Sequence, residues 1–139
     1  MNTTFSYQDG RSVCTIEYKG ICFIGDAKCH EQDNDFKSEK TGLQIAEIRA
    51  NIKLLQFRRD TEIKPQIKIL KHLLHNIQSS KYHNPKAYES IMIRKQLKAL
   101  NADLNEINGI INDEKKYLKD YIDKKDDFYN KIRAKREND

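Results

Sequence analysis

The sequence predicts a mostly helical α+β protein: a small N-terminal antiparallel β-sheet followed by a long antiparallel helical hairpin, in one oligomeric domain, 1–139. Three observations support this fold class. An apolar stripe with alternating steps of three and four residues runs through 85–136, and a similar pattern runs through 41–78. The first 30 residues instead contain short β-favouring pieces separated by turn pairs.

The N-terminal segment, 1–30, predicts a β-meander of two or three strands. Its pieces rich in β-branched and aromatic residues are Phe5–Tyr7, Val13–Tyr18 and Ile21–Ala27. The pairs Asp9-Gly10 and Lys19-Gly20 separate them, and such pairs are typical of two-residue hairpin turns. A sheet this small is marginal in water, so we expect a helix or a neighbouring chain to cover one face.

The next segment, 31–40, is polar and predicts a loop before a first helical arm over 41–78. Thr41 and Gln44 match a capping box at the start of this arm. Two apolar phases follow, offset by one residue: Ile45, Ile48, Ile52 and Leu55, then Ile63, Ile67, Leu70, Leu74 and Ile77. Pro65 lies where the phase slips, so we expect the arm to kink or break near it.

A turn over 79–84 leads into the second helix, with Asn84 as N-cap and Pro85 at the first helical position. The stripe of this helix consists of Ile93, Leu97, Leu100, Leu104, Ile107, Ile111, Leu118, Tyr121, Phe128 and Ile132. Glu114 and Lys125 interrupt it. Either they set register and oligomer number, as buried polar residues do in coiled coils, or they mark where the stripe faces a pocket.

The length of this second helix, 85–136, predicts a partner for it. A helix of about 50 residues is roughly 75 Å long, whereas a compact globule of this size is about 37 Å across. The helix must therefore lie against an equally long second helix or against another copy of the chain.

Composition excludes several classes of protein. The 26 basic and 21 acidic residues give a net charge of +5, typical of a solvated helical surface and only mildly favourable to an anionic ligand. Three cysteines without a signal-peptide pattern predict reduced thiols in a cytoplasm. Apolar runs are too short for a transmembrane helix, so no membrane contact is expected.

Catalytic and metal-binding patterns are absent from the sequence. It contains no Gly-rich phosphate loop and no serine elbow, and it has only five glycines, so we expect no enzymatic activity and no cofactor. Soft metal ligands cluster only at Cys29-His30 and at His72 and His75. This spacing does not resemble the two close ligand pairs of a zinc site.

Anion binding is the chemistry that the sequence leaves open. Arg49 lies within an otherwise apolar helical stretch, and Arg94 follows three apolar residues. A guanidinium held near a helix seam can bind phosphate bidentately. The accompanying aromatic residues, which suit base stacking, are Tyr82, Tyr88, Tyr117, Tyr121, Phe128 and Tyr129. Alternatively, the aromatic residues fill the helix seam and the arginines pair with carboxylates.

Several segments resemble one family. The stretch FIGDAKCHEQDNDFKSEKTGLQIAEIRANIK resembles the signature region of phage Thoeris anti-defence proteins of the first-described group. The segments IKPQIKILKHL, NPKAYESIMIRKQ and KKYLKDYIDKKDDFY are also similar to that group. The resemblance covers roughly residues 20–133, and the first 19 residues match no part of it.

The resemblance implies a function. Members have a small antiparallel sheet and two long helices, and they form dimers that build hexamers. They sequester cyclic ADP-ribose isomers from bacterial TIR-domain proteins without cleaving them, and some also capture cyclic trinucleotides in another pocket. For this chain it implies a cytoplasmic protein of the infected bacterial host. Arginine and aromatic contacts in the family imply the ligand-binding residues Arg49, Arg94, Arg133, Tyr88, Tyr117 and Phe128. Asn112 is a further predicted ligand-binding residue.

The alternative function is a nucleic-acid-binding or structural helical oligomer. It would use the basic C-terminal segment KIRAKREND. The near balance of acidic and basic residues on the long helix counts against nucleic acid as a partner.

Overall fold

The computed structural model describes residues 1–28, 39–79 and 87–138. Its elements are strands β1 (Asn2–Gln8), β2 (Arg11–Tyr18) and β3 (Ile21–Lys28), helix α1 (Glu39–Arg58), a π-helical segment (Arg59–Ile63), and helices α2 (Lys64–Gln78) and α3 (Tyr88–Asn138). A small antiparallel sheet followed by long helices confirms the predicted mostly helical α+β class. The contacts divide the chain, predicted as one domain, into two compact units, Met1–Leu54 with Ile111–Asp139 and Leu55–Ile110.

The three strands form one antiparallel sheet in the order β1-β2-β3, as the sequence predicted. Both hairpin turns have two central residues with positive φ: 53° and 80° at Asp9 and Gly10, and 51° and 78° at Lys19 and Gly20. This conformation defines the type I′ turn, whose twist matches that of the flanking strands. The turn pairs therefore set the strand register.

One face of the sheet is covered by α1. Its buried residues are Ser12, Cys14 and Ile16 on β2 and Phe23, Gly25 and Ala27 on β3. A Cβ atom at Gly25 would lie 2.1 Å from the carbonyl oxygen of Ala46 and 2.5 Å from the backbone nitrogen of Ala50. One at Gly42 would lie 2.2 Å from the Ser12 hydroxyl oxygen. Small residues four apart on α1 thus allow close contact with the sheet.

The first arm begins earlier than predicted. Helix α1 starts at Glu39, so Thr41 lies inside the helix rather than at its N-cap. The side chain of Gln44 accepts a hydrogen bond from the Tyr121 hydroxyl of α3. The expected capping box is therefore wrong: Thr41 is not at the helix end that it would cap.

The offset between the two apolar phases coincides with the π-helical segment. The amide of Lys64 donates to the carbonyl of Arg59, five residues earlier. Such a turn contains one residue more than an α-helical turn would, which matches a slip of one residue. Pro65 follows at the start of α2, where its missing N–H is tolerated. The chain stays helical through this position.

Helix α3 is continuous over 51 residues and begins at Tyr88 rather than at the predicted 85. Its stripe is buried at Leu97, Ile107 and Ile111. Glu114 and Lys125, which interrupt the stripe, are half-buried. Phe128 departs from the expected pattern, because 56% of it is exposed.

The predicted loop and the predicted turn lie mostly outside the described residues. Within the predicted loop over 31–40, only Glu39 and Lys40 are described, and they belong to α1. Within the predicted turn over 79–84, only Ser79 is described, and its amide donates to the His75 carbonyl at 2.9 Å. Asn84 and Pro85 lie outside the described residues.

Candidate ligand-binding surface

The C-terminal half of α3 carries large aromatic rings on its surface. Tyr117 and Tyr121 lie one turn apart and stack with their ring centroids 6.1 Å apart and their planes at 19°. Phe128 lies two turns further along, and its ring centroid is 5.8 Å from that of Tyr129. Tyr117 is 59% exposed and Phe128 is 56% exposed. These two rings therefore present apolar area to solvent.

Lysines alternate with these rings along the same side of α3. Steps of four, three, four, three and four residues connect Tyr117, Tyr121, Lys124, Phe128, Lys131 and Lys135, which we call the aromatic–lysine stripe. All of them are exposed except Tyr121, which is half-buried. A neighbouring lysine, Lys125, lies 5.6 Å from the centroid of the Tyr121 ring, a cation–π distance.

Of the predicted site residues, Tyr117, Phe128 and Arg133 all lie on this half of α3. Arg133 is half-buried on a different side of the helix, and its Nη1 donates to the Asn130 side-chain oxygen at 3.3 Å. Lys124, Lys131 and Lys135 were not among the ligand-binding residues predicted from the sequence. Their spacing from the aromatic residues also alternates between three and four, so the sequence does contain the pattern. The pattern is easily overlooked, because the longer apolar stripe runs beside it on the same helix.

Arg49 contacts the sheet. Its Nη1 donates to the backbone oxygen of Asp26 at 2.7 Å. One turn further along α1, Lys53 donates to the backbone oxygen of Ile24 at 2.6 Å. The predicted ligand-binding arginine thus binds the outer edge of β3.

The remaining predicted residues are dispersed on α3. Tyr88 is 75% exposed at the start of the helix, and Arg94, six residues later, is also exposed. Six residues on a helix place two side chains on different sides. Asn112 is exposed. Asn108, one turn earlier, accepts a hydrogen bond from Arg59 of the π-helical segment.

Arg59 connects the π-helical segment to α3. Its Nε donates to Asp60 at 2.9 Å and its Nη1 to the Asn108 side-chain oxygen at 3.2 Å. The hydrogen bond from Arg59 lowers the pKa of Asp60, and the same bond raises the pKa of Arg59. These hydrogen bonds occupy the guanidinium. We therefore assign Arg59 a structural role and not a ligand-binding role.

A shallow groove lies between β1 and α1. Its volume is about 400 Å³, and it is lined by Phe5, Glu39, Lys40, Leu43, Gln44 and Glu47. The lining contains two carboxylates and one ammonium group, which does not favour a phosphate.

Metal and thiol chemistry have little support in the described residues. His72 and His75 are exposed on α2, and the described ranges contain no cluster of three His, Cys, Asp or Glu side chains able to hold a metal ion. Cys29 and His30 lie outside those ranges. Cys14 is fully buried, and burial, with a smaller contribution from Glu47, raises its pKa. Cys22 is exposed.

Comparisons with known proteins leave the family open. No protein-family model matches the chain, and neither a curated protein nor a solved structure matches it. Within the described segments, every helix is too short or too polar to cross a membrane.

Proposed function

We propose that this protein is a phage anti-defence protein that binds and sequesters cyclic nucleotide immune signals without cleaving them. The ligands are cyclic ADP-ribose isomers made by TIR-domain proteins, with cyclic trinucleotides as a second class. The protein acts in the cytoplasm of the infected bacterial host. The resemblance of its segments to Thoeris anti-defence proteins motivates this proposal, and the aromatic–lysine stripe is the observation that supports it.

The chemistry of the stripe suits a nucleotide. An exposed aromatic ring offers a face on which a base stacks, and nearby cations neutralise phosphate. Lys124 and Lys131 lie four and three residues from Phe128, roughly one helical turn in either direction. A base on Phe128 would therefore place its phosphates between two ammonium groups.

Sequestration also requires a closed site. A ligand on one exposed helix face stays solvated, whereas tight small-molecule sites bury most of the ligand surface. We propose that a second copy of the chain supplies the opposing wall, in dimers that build hexamers. Binding in such a cleft needs no catalytic group.

A retention experiment tests this function. The protein is mixed with a cyclic ADP-ribose isomer and filtered, and the retained fraction is heated to denature the protein. The proposal expects intact ligand to reappear in solution after heating. Recovery of a cleaved product would indicate an enzyme instead, and the absence of retention would exclude sequestration of that ligand.

The same material tests the nucleic-acid alternative. Binding through phosphate contacts weakens steeply as salt rises, because bound counterions are released. The proposal predicts no salt-sensitive binding to duplex DNA or RNA. Such binding, with no retention of the cyclic nucleotide, would favour the alternative.

A further inference from the structure

The two edges of the sheet differ in their free backbone groups. In a two-residue hairpin, the residues that flank the turn form a hydrogen-bonded pair, and such pairs recur at every second position. The pairs Gln8–Arg11 and Tyr18–Ile21 flank the two turns. The outward backbone groups on β1 are therefore those of Thr3, Phe5 and Tyr7. Those on β3 belong to Cys22, Ile24, Asp26 and Lys28.

The edge formed by β3 is protected by α1. Two of its outward carbonyl groups, at Ile24 and Asp26, accept hydrogen bonds from Lys53 and Arg49. A further strand could not pair there without displacing both side chains. Natural sheets protect their edges with charged groups in this way.

Among the described residues, no side chain protects the edge formed by β1 in this way. Its seven residues, NTTFSYQ, include no charged residue and no proline. Phe5 is 50% exposed at its centre. Within the described part of the chain, no strand pairs with the outer side of β1. A regular, uncharged edge of this kind is a template for another strand.

We propose that β1 pairs with β1 of a second copy of this chain, antiparallel and about a twofold axis at Phe5. The outward groups of Thr3, Phe5 and Tyr7 then form one register, with Phe5 opposite Phe5 and Thr3 opposite Tyr7. The two three-stranded sheets join into one sheet of six. This pairing goes beyond nucleotide binding and does not depend on it.

The side chains next to the β1 edge favour a second copy of this chain as its partner. Phe5 lies on the face covered by α1 and lines the groove with Leu43, so the paired Phe5 rings would bury apolar area on both chains. The groove is also lined by one basic residue, Lys40, and two acidic residues, Glu39 and Glu47. Opposite charges on one surface can complement each other when that surface meets its twofold copy.

A charge exchange at Phe5 tests the pairing. Because Phe5 faces itself across the axis, Phe5→Lys or Phe5→Glu each places two like charges together, whereas an equimolar mixture pairs opposite charges. Sedimentation equilibrium should show each variant associating roughly tenfold or more weakly than the parent, and the mixture regaining association. Ile24→Lys, at a similarly exposed residue on β3, is the control and should leave association unchanged.

Hydrogen exchange on the unmodified protein provides a second measurement. The amides of Thr3, Phe5 and Tyr7 should become protected as concentration rises, while those of Cys22, Ile24 and Asp26 should not. Three results would overturn the proposal: fast exchange of the β1 amides at every concentration, parent-like association of both Phe5 variants, or a mixture that stays dissociated. Since two misfolded variants could not restore association to each other, recovery in the mixture also excludes misfolding.

Discussion

Single residues decide how closely α1 approaches the sheet. Gly25 has no space for a side chain, because the backbone of Ala46 and Ala50 lies within 2.5 Å of the position that a Cβ atom would occupy. Backbone atoms cannot move aside as the end of a flexible side chain can. The position therefore excludes every other amino acid for steric reasons.

Substitution of Gly25 by alanine should accordingly destabilise the protein by about 3 kcal/mol or more, since helix and sheet must separate. The control is Gly109→Ala in α3, where no atom lies within 4 Å of the added Cβ. That variant should gain about 0.5–1 kcal/mol from helix propensity. Urea unfolding of both variants measures the difference. Equal effects would show that α1 does not contact the sheet at Gly25.

The Ser12 hydroxyl is a second sensitive site. It is fully buried, and its oxygen has no hydrogen-bond partner among the described residues. A buried hydroxyl without a partner costs free energy, so Ser12→Ala should stabilise the fold by about 1 kcal/mol. Ser6→Ala, at an exposed position of β1, should change stability by less than about 0.5 kcal/mol. Thermal unfolding of both variants measures the difference. A lower Tm for Ser12→Ala than for the parent would show that the Ser12 hydroxyl makes a stabilising hydrogen bond.

Cys14 should make stability depend on pH in the alkaline range. Burial, and to a lesser extent Glu47, raises the pKa of the folded thiol above its ordinary value of 9.0. The unfolded chain therefore loses the proton at lower pH than the folded chain does. The contribution of the protonated Cys14 thiol to folding stability is therefore complete below pH 9.0 and is lost as pH rises through the folded pKa. Urea unfolding at increasing alkaline pH should show this decline in the parent but a smaller one in Cys14→Ala.

At the scale of elements, Arg59 stabilises the transition from α1 to α2. It bonds to Asp60 beside it and to Asn108 on α3. Arg59→Ala would leave the partly buried Asn108 side chain without this donor and should cost about 1–2 kcal/mol. Arg58→Ala removes an exposed pair with Glu62 and should cost less than about 1 kcal/mol. Equal losses in chemical denaturation would exclude a special role for Arg59.

The elements differ in how far sequence predicts them. The strands and their turns were predictable, because Asp9-Gly10 and Lys19-Gly20 specify a local backbone conformation. The offset near Pro65 was visible, but its form as a π-helical segment depends on which carbonyl the Lys64 amide reaches. The capping box failed because helix boundaries depend on residues before Thr41 as well as on Thr41 itself.

Site residues were harder to predict than elements. Arg49 has the sequence context of a ligand-binding arginine, yet its donor meets the Asp26 carbonyl. That contact joins residues 23 positions apart, which periodicity cannot reveal. Tyr117 and Phe128, in contrast, are exposed aromatic residues as a stacking role requires.

At the scale of the whole molecule, the features of the structure that favour association differ from the one that the sequence predicted. The sequence left two partners for the long apolar stripe, a second helix or another copy of the chain. Most of the stripe is buried or half-buried within one chain. Association is favoured instead by the uncharged β1 edge and by the exposed rings of α3.

Nucleotide binding by the aromatic–lysine stripe of α3 can be measured by equilibrium dialysis against a cyclic ADP-ribose isomer. Phe128→Ala removes a stacking surface and Lys131→Ala a cation, so each should weaken binding about tenfold or more. Lys119→Ala, on another side of the same helix, should bind like the parent. Parent-like affinity in both the Phe128 and Lys131 variants, or no binding by the parent itself, would exclude nucleotide binding at this stripe.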